Sequence, residues 1–154
     1  MPSSWYSVCM SSASHSPIHL AIVRKPYLDL IVLGHKSLEF RLTKTCIVPF
    51  GRARPGERVY FKQSGGPYRA RATIEATLFV QLGPHWPLAR FRAQFQPEIQ
   101  ADDAFWEAKA DARYASLVWL RHVEKIERSV VPEEILALPV SRCAWRTVEG
   151  TGHA

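Results

Sequence analysis

Apolar and polar residues along this chain recur with two periods, and each change of period marks a boundary between elements. Residues 19–24 (HLAIVR) are a short β-branched and aliphatic run, the first expected strand. Pro26 then supplies a first-turn helix residue, and PYLDLIVLG sets Tyr27, Leu28, Ile31 and Val32 on or near one helical face before Gly34 stops the helix. After that stop the period falls to two, with Leu38, Phe40 and Leu42 alternating with Ser37, Glu39, Arg41 and Thr43. The alternation predicts a strand whose apolar face turns inward and whose Glu39 and Arg41 point outward together.

Residues 44–57, punctuated by Pro49, Gly51, Pro55 and Gly56, read as a basic loop. Residues 58–62 (RVYFK) and 69–80 are the two strands of a hairpin around Gly65, Gly66 and Pro67. In the second strand Ala70, Ala72, Ile74, Ala76 and Leu78 alternate with Arg69, Arg71, Thr73, Glu75 and Thr77, which predicts one uninterrupted apolar face. Past Pro84 and Pro87, the helical spacing of Leu88, Phe91 and Phe95 predicts a helix that Pro97 ends. Asp102 or Asp103 caps a second helix, AFWEAKADA. From Tyr114, YASLVWLRHVEKI carries an apolar run expected of a strand covered on both faces. VPEEILALP makes a single helical turn, and residues 143–148 a closing strand. Strands near both ends with helices between them give the class α+β: a small curved mixed sheet or β-barrel with helices packed at one side. Residues 1–17 lack periodicity and are expected to form a flexible tail, leaving residues 18–150 as one domain.

Composition adds limits. A chain of 154 residues, 47% hydrophobic and 22% charged, holds one ordinary core and needs neither disulfides nor a structural metal to fold. Cys9, Cys46 and Cys143 are odd in number and contain no C-x-x-C pair, as expected of reduced thiols in a cytoplasmic protein. No segment approaches the roughly 20 apolar residues of a membrane span, and the first residues lack the pattern of a signal peptide, so neither a membrane nor secretion is expected. Charge is more informative. The net charge of +6 hides an asymmetry: residues 24–71 carry eleven Lys/Arg against three acids, while the remainder carries nine against eleven. A fold that gathers the basic third on one face would attract a polyanion.

Residues 34–41, GHKSLEFR, have the form G-x-K-x-x-E-x-R. They follow KPYLDLIVLG and precede a Pro55-Gly56-Glu57-x-Val59-x-Phe61 strand start. On these residues the chain resembles the ASCH domain family of the PUA-like superfamily, small β-barrels that bind RNA or modified nucleosides. The resemblance covers residues 18–148, including the late strand LVWLRHVEKI. It implies a PUA-like barrel with a cleft beside the motif, lined by Lys36, Ser37, Glu39 and Arg41, that takes a nucleotide or nucleobase. The residue types suit that ligand: Arg41 offers a planar fork to phosphate or a base edge, Lys36 a point charge, and Glu39 an acceptor for an exocyclic amine. Tyr60, Tyr68 and Trp119 are candidates for stacking. Lys44, Arg52, Arg54, Lys62, Arg69 and Arg71 are expected to hold the phosphate backbone. The expected partner is RNA or a modified nucleotide, with single-stranded DNA, a flipped-out DNA base or an acidic protein behind it. The contrary reading makes Glu39 and Arg41 a surface ion pair of about 0–1 kcal/mol.

Some ASCH-like proteins are amidohydrolases acting on acylated cytidine, with a threonine three residues after the motif lysine. That position here is Glu39. Lys36 and Glu39 are therefore catalytic candidates only in the alternative of a small hydrolase acting on a nucleoside amide or an RNA phosphodiester. A carboxylate beside Lys36 is expected to keep its amine charged, which argues for recognition over base chemistry. Glu39 is the candidate base on a water. The histidines His15, His19, His35, His85, His122 and His153 lack the carboxylate neighbours of a metal site, so neither metal nor cofactor is expected. His35, inside the motif, is the one placed to titrate near neutral pH. Gly65-Gly66-Pro67 lacks the features of a phosphate loop, and Cys46 reads as an inert thiol.

Overall fold

The computed structural model describes residues 16–150. The expected tail lies outside them except for its last two residues, and Pro17 already opens the first strand. Six strands form one curled sheet: β1 (Pro17–Val23), β2 (Leu38–Thr43), β3 (Arg58–Gln63), β4 (Tyr68–Gln81), β5 (Tyr114–Lys125) and β6 (Trp145–Glu149). Their order is β2-β5-β4-β3-β1-β6, with β1 parallel to β3 and the other pairs antiparallel. Among the described residues four α-helices pack alongside the half-barrel: α1 (Lys25–Val32), α2 (Leu88–Ile99), α3 (Asp103–Ala108) and α4 (Glu133–Leu136). The α+β class and the small curled sheet with helices packed at its side are as expected from the sequence.

The two sheet faces carry different cores. On the inner face, Ala21, Val59, Phe61, Ala72, Ile74 and Val118 pack with Leu28 and Ile31 of α1. On the outer face, Leu38, Phe40, Leu42 and Leu117 pack under Phe91, Phe95 and Ile99 of α2 and Trp106 of α3. A smaller outer cluster joins Leu20 and Tyr60 to Val131 and Ile135. A sheet covered on both faces buries both phases of an alternating strand.

This double cover corrects three expectations. The apolar residues of β2 meet the helices, while Glu39 and Arg41 take the other face, which is the concave one and not a solvated flank. In β4 the single apolar face is broken by a register shift between Ile74 and Ala76. Past it Phe79 joins the inner core, Val80 the outer one, and Leu78 is exposed, as one extra residue in a bulge reverses the phase of a strand. Pro97 does not end α2, which runs two residues further. Phe91, Phe95 and Ile99 form one buried stripe that holds the last turn down, and left-handed Gln100 closes it by donating its N–H to Gln96 O at 2.9 Å. Asp102 caps α3 as expected, its side chain accepting from Phe105 N at 2.7 Å.

Phe61 is fully buried in the inner core. Phe61→Ala is expected to cost about 3–5 kcal/mol of folding stability, read as a lower urea midpoint.

Candidate functional site

Register sets the two charged residues of β2. Glu39 lies opposite Val118 and Arg41 opposite Ser116, and directly paired residues share a face. Val118 belongs to the inner core, so both side chains enter the concave side of the sheet. Glu39 is 5% exposed and the Arg41 side chain 19%. Lys36 arrives by another route. Gly34, at φ 79°, reverses the chain after α1, and the N–H groups of His35 and Lys36 both donate to Leu30 O, at 2.9 and 3.1 Å. This folds Lys36 back over the helix, where it is 3% exposed, with Nζ 5.1 Å from the centroid of the Tyr27 ring and 4.9 Å from that of Phe40. Ser37 is exposed, and its carbonyl accepts from Leu120 N at 2.8 Å.

Arg41 spans the open seam of the half-barrel. Its Nη2 donates to Ile22 O of β1 at 3.0 Å, although three strands separate β2 from β1 in the sheet order. Its guanidinium carbon lies 5.8 Å from the centroid of the Trp145 ring on β6. Arg41 Nε is 2.8 Å from Glu39 Oε1, yet this buried N–H has no hydrogen-bond partner. The pair is held by charge, without a bond aimed from donor to acceptor. Burial pushes the Lys36 amine below its ordinary range; Glu39 pulls it back and Arg41 adds to the lowering. The carboxylate was expected to win that contest, but desolvation is the larger effect.

A second polar cluster escaped the sequence reading. His19 is fully buried, with Nε2 2.9 Å from Glu57 Oε1 and Nδ1 2.8 Å from Thr147 Oγ1. Trp145 Nε1 also donates to His19 Nδ1, at 3.1 Å. An indole N–H can only donate, so Nδ1 is an acceptor and the proton of the neutral ring sits on Nε2, facing Glu57. Glu57 Oε1 also accepts from Arg54 N at 2.9 Å, which pins the basic loop to β1. Burial lowers the His19 pKa more than Glu57 raises it, and Arg52 lowers it further. The expectation that no histidine has a carboxylate neighbour is thus overturned for His19. Its phase with Ala21 and Val23 on β1 was the available signal for the inner face; the approach of Glu57 is tertiary.

The remaining basic candidates are dispersed. Lys44 pairs with Asp111 at 2.7 Å, Arg69 with Asp29 at 2.5 Å, and Arg71 with Glu124 at 2.9 Å. Arg52 and Arg54 are exposed on the loop and Lys62 is half-buried; none of the three has an ion-pair partner among the described residues. Of the stacking candidates, Tyr60 is buried, Trp119 is half-buried and donates to Glu98 at 2.8 Å, and Tyr68 is half-exposed. Cys46 and Cys143 are free and exposed; Cys9, His15 and His153 lie outside the described residues.

The curled sheet, its parallel β1–β3 pair and the flanking helices form a fold shared with solved structures of ASCH proteins. Among solved structures the chain is similar to the ASCH protein of Zymomonas mobilis, with a TM-score of 0.60 at 12% identity over 84% of this chain and 86% of that one. It is also similar to two single-substitution variants of that protein. One, a tyrosine-to-phenylalanine change, gives a TM-score of 0.60 at 12% identity over 84% and 88% of the two chains. The other, serine to alanine, gives 0.61 at 13% over 84% and 87%. No protein-family model matches the chain, and no curated protein matches it in sequence. Among the described residues, no helix is long and apolar enough to cross a membrane.

Two predictions follow from the buried charges. The native state keeps His19 neutral below its ordinary pKa of 6.5, whereas the unfolded chain takes up the proton there. Stability is therefore full above about pH 6.5 and falls as pH drops toward the lowered native value. His19→Gln should flatten that fall, as measured by urea midpoints across the acid range. Lys36→Met removes a desolvated ammonium while leaving Arg41 beside Glu39. It is expected to change stability by less than about 1 kcal/mol; a loss of about 3–5 kcal/mol would mark the lysine as the partner Glu39 depends on.

Proposed function

We propose that this chain binds RNA or a modified nucleotide at the seam of the half-barrel, with Lys36, Glu39 and Arg41 as the recognition set. The supporting observation is Arg41: a guanidinium between an acid and an indole ring, with a buried Nε–H that no acceptor satisfies. Arg41 presents its fork to a phosphate or base edge, Glu39 accepts from an exocyclic amine, and Lys36 contributes positive potential from behind Phe40. Ser37 lies at the rim. Arg52, Arg54 and Lys62 hold the backbone, and Lys44, Arg69 and Arg71 join by exchanging their present carboxylates for phosphate. A single-stranded or flipped-out DNA base meets the same groups.

One observation favours a second reading, a small hydrolase of a nucleoside amide or an RNA phosphodiester. Burial lowers the Lys36 pKa, which raises the fraction of neutral amine able to accept a proton. In that reading Lys36 or Glu39 takes a proton from the attacking water and returns it to the leaving amine or alkoxide.

Calorimetric titration with nucleotides and short RNA separates these readings. Binding should weaken steeply with salt, and Arg41→Ala should cost about 5- to 150-fold in affinity for a preferred nucleotide, well beyond Arg54→Ala. Equal losses from the two variants would leave only a nonspecific basic surface. Turnover of N4-acylcytidine or RNA by the wild type that is lost in Glu39→Gln and Lys36→Met would establish the hydrolase; no turnover across such substrates removes it.

A further inference from the structure

The groove of about 430 Å³ in this molecule does not include the motif. Its walls are Asp29 and Val32 of α1, Leu33 just after it, Tyr68 and Arg69 at the start of β4, Lys125 at the end of β5 and Ile126 just after it. Val32 and Tyr27 border the same buried face of α1, both packing against the inner core, and Tyr27 is the residue under Lys36.

The groove combines an apolar wall with uncommitted positive charge. Leu33 is 62% exposed there, and the half-exposed Tyr68 ring has the Arg128 guanidinium carbon 6.0 Å from its centroid. The one acid lining it, Asp29, is held by Lys25 at 2.8 Å and Arg69 at 2.5 Å, and these two hydrogen bonds keep its carboxyl below the ordinary range. Lys125 and Arg128 have no ion-pair partner among the described residues. A tyrosine ring that already carries the Arg128 guanidinium on one side, with Lys125 lining the same groove, matches one nucleotide of a single strand: a base against the ring and a phosphate on the cations.

We propose that this groove is a second nucleotide subsite, which takes the base and phosphate of a single-stranded RNA whose other end occupies the seam. The proposal rests on the RNA-binding reading and deepens it: the preferred ligand is an oligonucleotide that crosses the end of α1 between Leu33 and Lys36, not a lone nucleotide. Tyr68 supplies the platform, Lys125 and Arg128 the phosphate contact, and Leu33 the apolar edge against the sugar. Charge selects RNA over an acidic peptide only in combination with stacking, since a peptide carboxylate uses the cations but has no use for the ring.

The test compares uridine monophosphate with a fluorescent oligouridylate several residues long, using the full chain. Tyr68→Ala and Lys125→Glu should each weaken the oligonucleotide about tenfold and leave the mononucleotide unchanged, whereas Tyr68→Phe should retain affinity. Arg41→Ala should weaken both probes. Loss in Tyr68→Ala with retention in Arg41→Ala supports the groove and overturns the seam as the site. Loss in Arg41→Ala with full retention in Tyr68→Ala overturns the groove and spares the seam. A wild-type chain that binds neither probe, or a polyglutamate peptide that displaces the oligonucleotide from wild type and Tyr68→Ala equally well, overturns the proposal. Unchanged thermal melting of the variants excludes misfolding as the cause.

Discussion

Arg41 ties together parts of the molecule that the sheet itself leaves apart, because β2 and β1 are separated by three strands and meet only where the sheet curls. Ile22 sits just beyond the last paired residue between β1 and β6, its N–H bonded to Ala144 O, and its carbonyl receives Nη2 of Arg41. A buried carbonyl without a donor is costly, and this one is satisfied by the residue that also faces Glu39 and Trp145.

The buried charges around that arrangement are costly to the fold. Lys36, Glu39 and His19 are all buried, and each would be easier to fold as an apolar residue of similar volume. Their local compensation is partial: Lys36 rests on two rings, Arg41 approaches Glu39 without an aligned hydrogen bond, and only His19 has its ring nitrogens fully engaged. Incomplete compensation leaves charge that a ligand can complete in a weakly screened setting. By this measure the His19–Glu57 pair is a fastener of the fold, and the Lys36–Glu39–Arg41 set is the less fully compensated of the two.

Periodicity made the strands and helices legible, because alternation and helical spacing are local properties. It did not reveal which side of the sheet was inside. The rule that an apolar face turns inward assumes one buried face, and here Leu38, Phe40 and Leu42 serve an outer helical layer while Glu39 and Arg41 serve the inner one. The same limit explains the β4 bulge and the survival of α2 through Pro97, since both are decided by contacts with other elements. The motif was visible as a spacing in the sequence, but the contest between burial and the Glu39 charge at Lys36 depends on depth, which spacing does not encode. His19 and Glu57, far apart in the chain, carried no joint signal.

Trp145 connects these observations. One edge of its indole donates to His19, and its ring lies near the Arg41 guanidinium, so a single side chain of the last strand borders both polar clusters. Movement of Arg41 toward a ligand would release Ile22 O and alter the setting of the ring whose N–H fixes the tautomer of His19. Through Glu57, His19 is joined to the backbone of Arg54 on the basic loop. The physical chain from seam to loop is thus continuous, running through Arg41, Trp145, His19, Glu57 and Arg54. Displacement of Arg41 from its present bonds would act, along this chain, on the loop that carries Arg52 and Arg54.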